Sequence, residues 1–134
     1  MSRSEPSAGS LDEMGAAAAR AVRRVCVTRG DIAAVVGVGP LASALHAAIG
    51  HLGVTCHVLP QVTSDSDLSR VSVLLDASGD PVTIDTLLER APRYCRIALV
   101  APVYGQLVDV DLYRTVHSKG LEVIGVADGH SGNL

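Results

Sequence analysis

The sequence predicts an α/β domain: an open, parallel sheet of about five strands with helices on both faces. Three observations predict it. Short apolar runs alternate with stretches of helical periodicity along most of the chain, the order of a parallel sheet with covered faces. A glycine turn, Gly37-Val38-Gly39, joins one such run directly to a helical stretch. The 134 residues, 48% of them hydrophobic, suffice for one core and not for two.

The elements follow in order. Ser10 with Glu13 three places later has the form of a capping box, and Leu11, Met14, Ala18, Val22 and Val25 recur at helical spacing, so a helix is expected over 11–25. Thr28-Arg29-Gly30-Asp31 makes a turn, and Ile32–Val36 is a strand buried on both faces. Leu41, Leu45, Ala48, Ile49 and Leu52 share one face of a second helix, closed by Gly53. Strands follow at 54–59 and 71–75, the first stopped by Pro60. Asp80-Pro81 is an N-cap and first-turn proline, and Ile84, Leu87, Leu88 and Ala91 form that helix's buried stripe. A fourth strand is expected over 97–101. Asp109 or Asp111 can cap a short helix through His117, and a fifth strand runs over 121–126. Residues 1–9 and 127–134 read as flexible ends around a domain spanning 10–126.

Composition removes several function classes. No apolar run reaches the ~20 residues of a membrane helix, and the polar start lacks a secretory signal's order, so the cytoplasm is the default. Cys26, Cys56 and Cys95 form no CxxC pair and leave one cysteine over, which indicates neither a disulfide framework nor a zinc site. The net charge is −3, and Arg20, Arg23 and Arg24, the densest basic group, read as a solvated helix face. With no Trp or Phe there is no stacking platform, so nucleic acid is not an expected partner. Lys119 alone against ten Arg, with abundant Ala, reflects a GC-rich, bacterial type of genome.

The chemistry-bearing motif is Val35-Val36-Gly37-Val38-Gly39-Pro40-Leu41-Ala42, a G-x-G-x-x-A fingerprint placed after a strand and opening a helix. Gly37 permits the tight turn, Gly39 lets backbone approach a pyrophosphate, and Ala42 keeps helix and strand close. The amides and positive dipole end of the helix then favour an anion.

That segment, followed by Asp76-Ala-Ser-Gly79, Arg96-Ile-Ala-Leu-Val-Ala101 and Gly120-Leu-Glu-Val-Ile-Gly125, resembles the cofactor-binding, Rossmann-like half of the medium-chain, zinc-type alcohol dehydrogenase family. Arg29-Gly-Asp31 before the first strand resembles it too, and the likeness covers roughly 10–126. The resemblance implies a pyrophosphate at Gly37, Gly39, Pro40 and Leu41. It implies the nucleoside or outer nicotinamide edge near Asp76, Ser78 and Gly79, and the nicotinamide amide near Ala101 to Val103. It also implies a sheet order of 2-1-3-4-5, with the ligand crevice between the first and third strands. The fifth strand would be an edge that pairs with its twin in a homodimer through 121–126.

Three departures qualify that inheritance. Where the family grips the ribose hydroxyls with an acidic residue, this chain has Pro60 and Gln61, so tight selectivity for NAD is not expected. An NADP reading needs a nearby basic residue, for which Arg70 is the candidate in that loop. Only the ten residues 61–70 join the second and third strands, against ~30 for a complete strand–helix–strand unit, so a helix and a strand of the family pattern are missing. Neither zinc-ligand set of the family, nor its catalytic domain, can be found in the sequence.

Other reactive side chains read as structural or surface groups: His46 and His51 on opposite flanks of a helix stripe, His57 beside Cys56 on a strand, His117 at a helix end, and His130 in a Gly-rich tail. Asp76 ends a buried strand and serves either a ligand or local backbone N–H groups. Tyr104 either lines the same crevice or packs on its loop. The leading expectation is a reduced Rossmann-like binding domain that holds a nucleotide or other small molecule weakly, without zinc and without alcohol dehydrogenase activity. The alternatives are a cofactor-free enzyme of the isomerase or cyclase type using the same cleft, and a non-catalytic partner of a larger enzyme.

Overall fold

The computed structural model describes residues 5–103, 105–107 and 110–127. Tyr104, Asp109 and His130, singled out above, lie outside the described residues, as do 1–4 and 128–134. The elements are α1 (Glu5–Arg24), β1 (Ile32–Val36), α2 (Pro40–His51), β2 (Thr55–Leu59), β3 (Val73–Asp76), α3 (Pro81–Arg90), β4 (Arg96–Leu99), a π-helical turn (Leu112–His117) and β5 (Glu122–Gly125). All five strands are parallel, in the expected order β2-β1-β3-β4-β5.

Alternating side chains divide the core between two faces. On one, Ala33, Val35, Val73, Leu75 and Ala98 meet α1 (Ala18, Ala21, Val25) and α2 (Ala42, Leu45, Ile49). On the other, Ala34, Val36, Leu74 and Ile97 meet α3 through Ile84, Leu87 and Leu88. No helix occupies the link between β2 and β3, yet that face is not bare: Val62, Leu68 and Val71 of the link are buried against the α3 side. Three apolar side chains on a link of two hydrogen-bonded turns thus replace a helix stripe and keep that face dry.

Two expected elements differ. α1 begins at Glu5, so Ser10 lies inside the helix and does not cap it. Pro6 sits in the first turn, where its missing N–H breaks no helix bond, and the alanine-rich stretch that follows favours helix. The segment over 112–117 is a wide π turn and not an α-helix, capped by Asp111, whose carboxylate accepts from Arg114 N–H at 3.0 Å. Thr115 and Val116, both β-branched, favour α-helix weakly. The other boundaries shift by one or two residues.

The N-terminal end of the sheet is tied by polar groups. Asp31 accepts from Thr28 N–H at 2.9 Å, Ser72 Oγ at 2.8 Å and Arg96 Nη2 at 2.7 Å, while Arg96 Nε donates to Val25 O at 3.0 Å. This joins the end of α1 to β1, β3 and β4. Lys119 Nζ donates to the carbonyls of Leu88, Glu89 and Ala91 at 2.7, 2.9 and 2.9 Å, closing the C-terminus of α3, where those acceptors lack helical partners. α1 ends in a Schellman motif, with Val27 N–H on Val22 O and Cys26 at φ 53, a left-handed position usually held by glycine.

Candidate functional site

The loops that leave the C-terminal ends of β1, β3 and β4 lie side by side, and each is shaped by a local constraint. Gly37 is buried at φ +128; a Cβ there would lie 3.1 Å from Ala77 C and Ser78 N, so the first loop rests on the second. Gly79, at φ +66, has no room either: a Cβ would lie 2.1 Å from Pro102 O, so the second loop rests on the third. Ala101 completes that contact, and its N–H donates to Asp76 O at 3.2 Å.

Gly39 is different. It is exposed, at φ +105 and ψ −171, and a Cβ on it would meet nothing within 4 Å. It is the N-cap of α2 and has no side chain to cap with. Pro40 at N1 has no N–H to satisfy, and Ser43 N–H already bonds Gly39 O. The amides of Leu41 and Ala42, in the first turn, therefore have no intrahelical acceptor and no side-chain cap. Two amides without an intrahelical acceptor at the positive end of a 12-residue helix form a corner of the kind that favours an anion. The residues fit the pyrophosphate of a dinucleotide.

The fit weakens away from that corner. Asp76 is fully buried, with Oδ1 accepting from Ser78 N–H and Oγ–H at 3.2 and 2.6 Å, and Oδ2 from Gly79 N–H at 2.9 Å. Ser78 Oγ in turn accepts from Asp80 N–H at 3.1 Å. Of the two roles open to Asp76 in the sequence, the geometry displays the local one. Pro60 and Gln61 are exposed after β2 and offer no carboxylate for a ribose. Arg70, the basic candidate for NADP, is misplaced: the link runs from the C-terminal end of β2 to the N-terminal end of β3. Arg70 sits two residues before Ser72, which bonds Ile32 and Arg96 at that far end.

The sequence reading missed an apolar rim. Val38 is 74% exposed, Val82 71% and Val103 37%, and all three sit on segments that follow the C-terminal ends of β1, β3 and β4. Val38 was readable, since a side chain between two turn glycines has little to cover it. Val82 and Val103 were not, because exposure at a helix start or loop depends on neighbours distant in sequence.

The other reactive groups do not converge here. His46 and His51 on α2, His57 on β2 and His117 on the π turn are all exposed, and His117 stacks on Tyr113 with ring centroids 5.1 Å apart. Burial pushes the Cys95 thiol up to about 11 and raises that of Cys56, so neither supplies a ready thiolate near neutral pH. Among the described residues, no three His, Cys, Asp or Glu side chains are grouped to hold a metal ion. No described helix is long and apolar enough to cross a membrane.

No family model and no curated protein matches the sequence. Solved structures do match. Galactitol-1-phosphate dehydrogenase from Escherichia coli superposes with a TM-score of 0.74 at 16% identity, over 89% of this chain and 44% of that one. L-idonate 5-dehydrogenase from Escherichia coli gives 0.73 at 19%, over 89% and 41%. TarJ from S. aureus, solved in complex with NADPH, gives 0.63 at 16%, over 87% and 44%. The chain spans less than half the length of each. Its fold is that of one part of the zinc-type medium-chain alcohol and polyol dehydrogenases, the family that its motifs resemble.

Proposed function

We propose that this chain is a binding domain that holds the phosphate-bearing part of a nucleotide, or a similar anionic small molecule, at the start of α2. The observation that carries the reading is the uncapped first turn of α2, with open space at Gly39. The exposed Val38, Val82 and Val103 suit an apolar or planar group beside the anion. Binding is weak, because the second strand ends without a carboxylate for the ribose and Asp76 is engaged by its own loop. Gly37, Gly39, Pro40 and Leu41 form the contact region, with Ser78, Gly79 and Ala101 as its floor. NAD and NADP are both candidates, and the chain does not act alone as an alcohol dehydrogenase. Isothermal titration with NAD, NADP, AMP and ADP-ribose tests the reading. Saturable binding of at least one is expected, and it should be lost in Val38→Asp. That substitution sets a negative charge beside the ligand's anion while favouring the helix dipole, so the variant should remain folded. Silence across the panel would favour the cofactor-free enzyme or the non-catalytic partner.

We also propose a homodimer through residues 121–126. Among the described residues β5 is an edge strand of the sheet, and Val123 is 42% exposed on it.

A further inference from the structure

We propose that the groove between α1 and the C-terminal end of β5 is a second anion site, which takes a phosphate ion or the phosphoryl group of a small molecule. The groove has a volume of about 340 Å³ and is lined by Arg20, Arg23, Arg24, Val126 and Ala127. The three arginines stand at i, i+3 and i+4 on one helix face, where like charges repel. On α1 and the turn after it, no Asp or Glu occurs from Gly15 to Gly30 to relieve that repulsion. Among the described residues, the one ion pair within 4 Å joins Arg96 and Asp31, not any of these three.

The negative end of α1 accounts for Arg23 and Arg24, which lie in its last turn. It does not account for Arg20. Arg20 Nε is buried without a hydrogen-bond partner among the described residues, while the Arg20 side chain as a whole lines the groove. Among the described residues Arg24 Nη2 reaches Gly125 O at a long 3.5 Å. Guanidinium groups present donors in a planar fork that matches the oxygens of phosphate, and three of them supply more donors than one carboxylate can accept. The walls contributed by Val126 and Ala127 leave apolar surface beside the anion, as an organic phosphate ester would use.

The test follows the arginine Nε–Hε resonances by NMR while inorganic phosphate, and separately phenyl phosphate, is added to the full chain. The Arg20 resonance should shift and saturate with a Kd near or below about 1 mM. Tighter binding of phenyl phosphate assigns the site to an ester, and equal binding assigns it to the free ion. Arg20→Gln should weaken binding by about tenfold or more, and Arg23→Gln gives the same readout should Arg20→Gln fail to fold. Arg70→Gln removes the same charge elsewhere and should leave the affinity unchanged. Val38→Asp closes the anion corner at α2 and should leave this titration intact, which separates the two sites. A linear, unsaturated shift would overturn the proposal, as would equal losses in Arg20→Gln and Arg70→Gln.

Discussion

Replacing Asp31 by Asn should destabilise the domain by about 2–3 kcal/mol at neutral pH. Asp31 is 9% exposed and holds Thr28 N–H, Ser72 Oγ and Arg96 Nη2 in its two oxygens. Asn keeps one acceptor and turns an amide against a donor, so the charge-assisted bond to Arg96 is lost. Breaking a fully buried pair costs ~3–5 kcal/mol. The Arg96 side chain is 24% exposed, so water resolvates part of the orphaned charge and lowers that figure. Urea unfolding at pH 7 reads the loss as a midpoint drop of roughly 0.7–3 M, given a slope of ~1–3 kcal/mol per M. Burial works against ionisation of Asp31. The bonds from Thr28, Arg96 and Ser72, with the Arg96 charge, outweigh it and hold the carboxyl below its ordinary range. A carboxyl depressed on folding stabilises above its unfolded value, about 3.9, and loses that contribution as pH falls through the folded value. The gap between wild type and Asp31→Asn should therefore be constant above about pH 5 and narrow below about pH 4. A gap under about 0.5 kcal/mol at pH 7, or one unchanged in acid, would refute the reasoning.

Cys26→Gly should stabilise the domain by about 0.5–1 kcal/mol, because φ 53 costs a side chain and not glycine; a lower midpoint in urea would contradict this. Gly79→Ala should cost more than about 2 kcal/mol, since its Cβ would lie 2.1 Å from Pro102 O at a left-handed φ; a near-neutral melting shift would show that the third loop yields freely. Val123→Lys should convert the proposed dimer to a folded monomer by light scattering at tens of micromolar, a range of about 6–7 kcal/mol. A monomer mass for the unmodified chain would remove the dimer. Ile124→Pro is a poorer probe, since Ile124 also packs against the core shared by α1 and α2.

Much of this architecture was legible because its signals are local. Ile32–Val36 is apolar at every position because both sheet faces are covered, and Asp80-Pro81 declares a helix start by capping chemistry alone. The glycine turn Gly37-Val38-Gly39 between β1 and α2 was legible for the same reason. Asp31 and Arg96 were quoted within family-like motifs, but their pairing spans 65 positions and emerges only once β1, β3 and β4 align. Lys119 closing α3 is equally non-local. Arg70, the basic candidate in the link, lies at the far end of the sheet because the link crosses it between β2 and β3. Gly79 must be glycine for its contact with Pro102, 23 positions away, which its sequence neighbours do not reveal.

Backbone amide NMR with ADP-ribose added to the full chain tests the central claim most directly. The Gly39, Leu41 and Ala42 amides should show the largest shifts, moving downfield together with one saturation curve, while amides near Asp31 and Arg96 at the far end of the sheet stay still. Saturating shifts that leave Leu41 and Ala42 unmoved, or no saturable shift at all, would contradict a ligand at the first turn of α2.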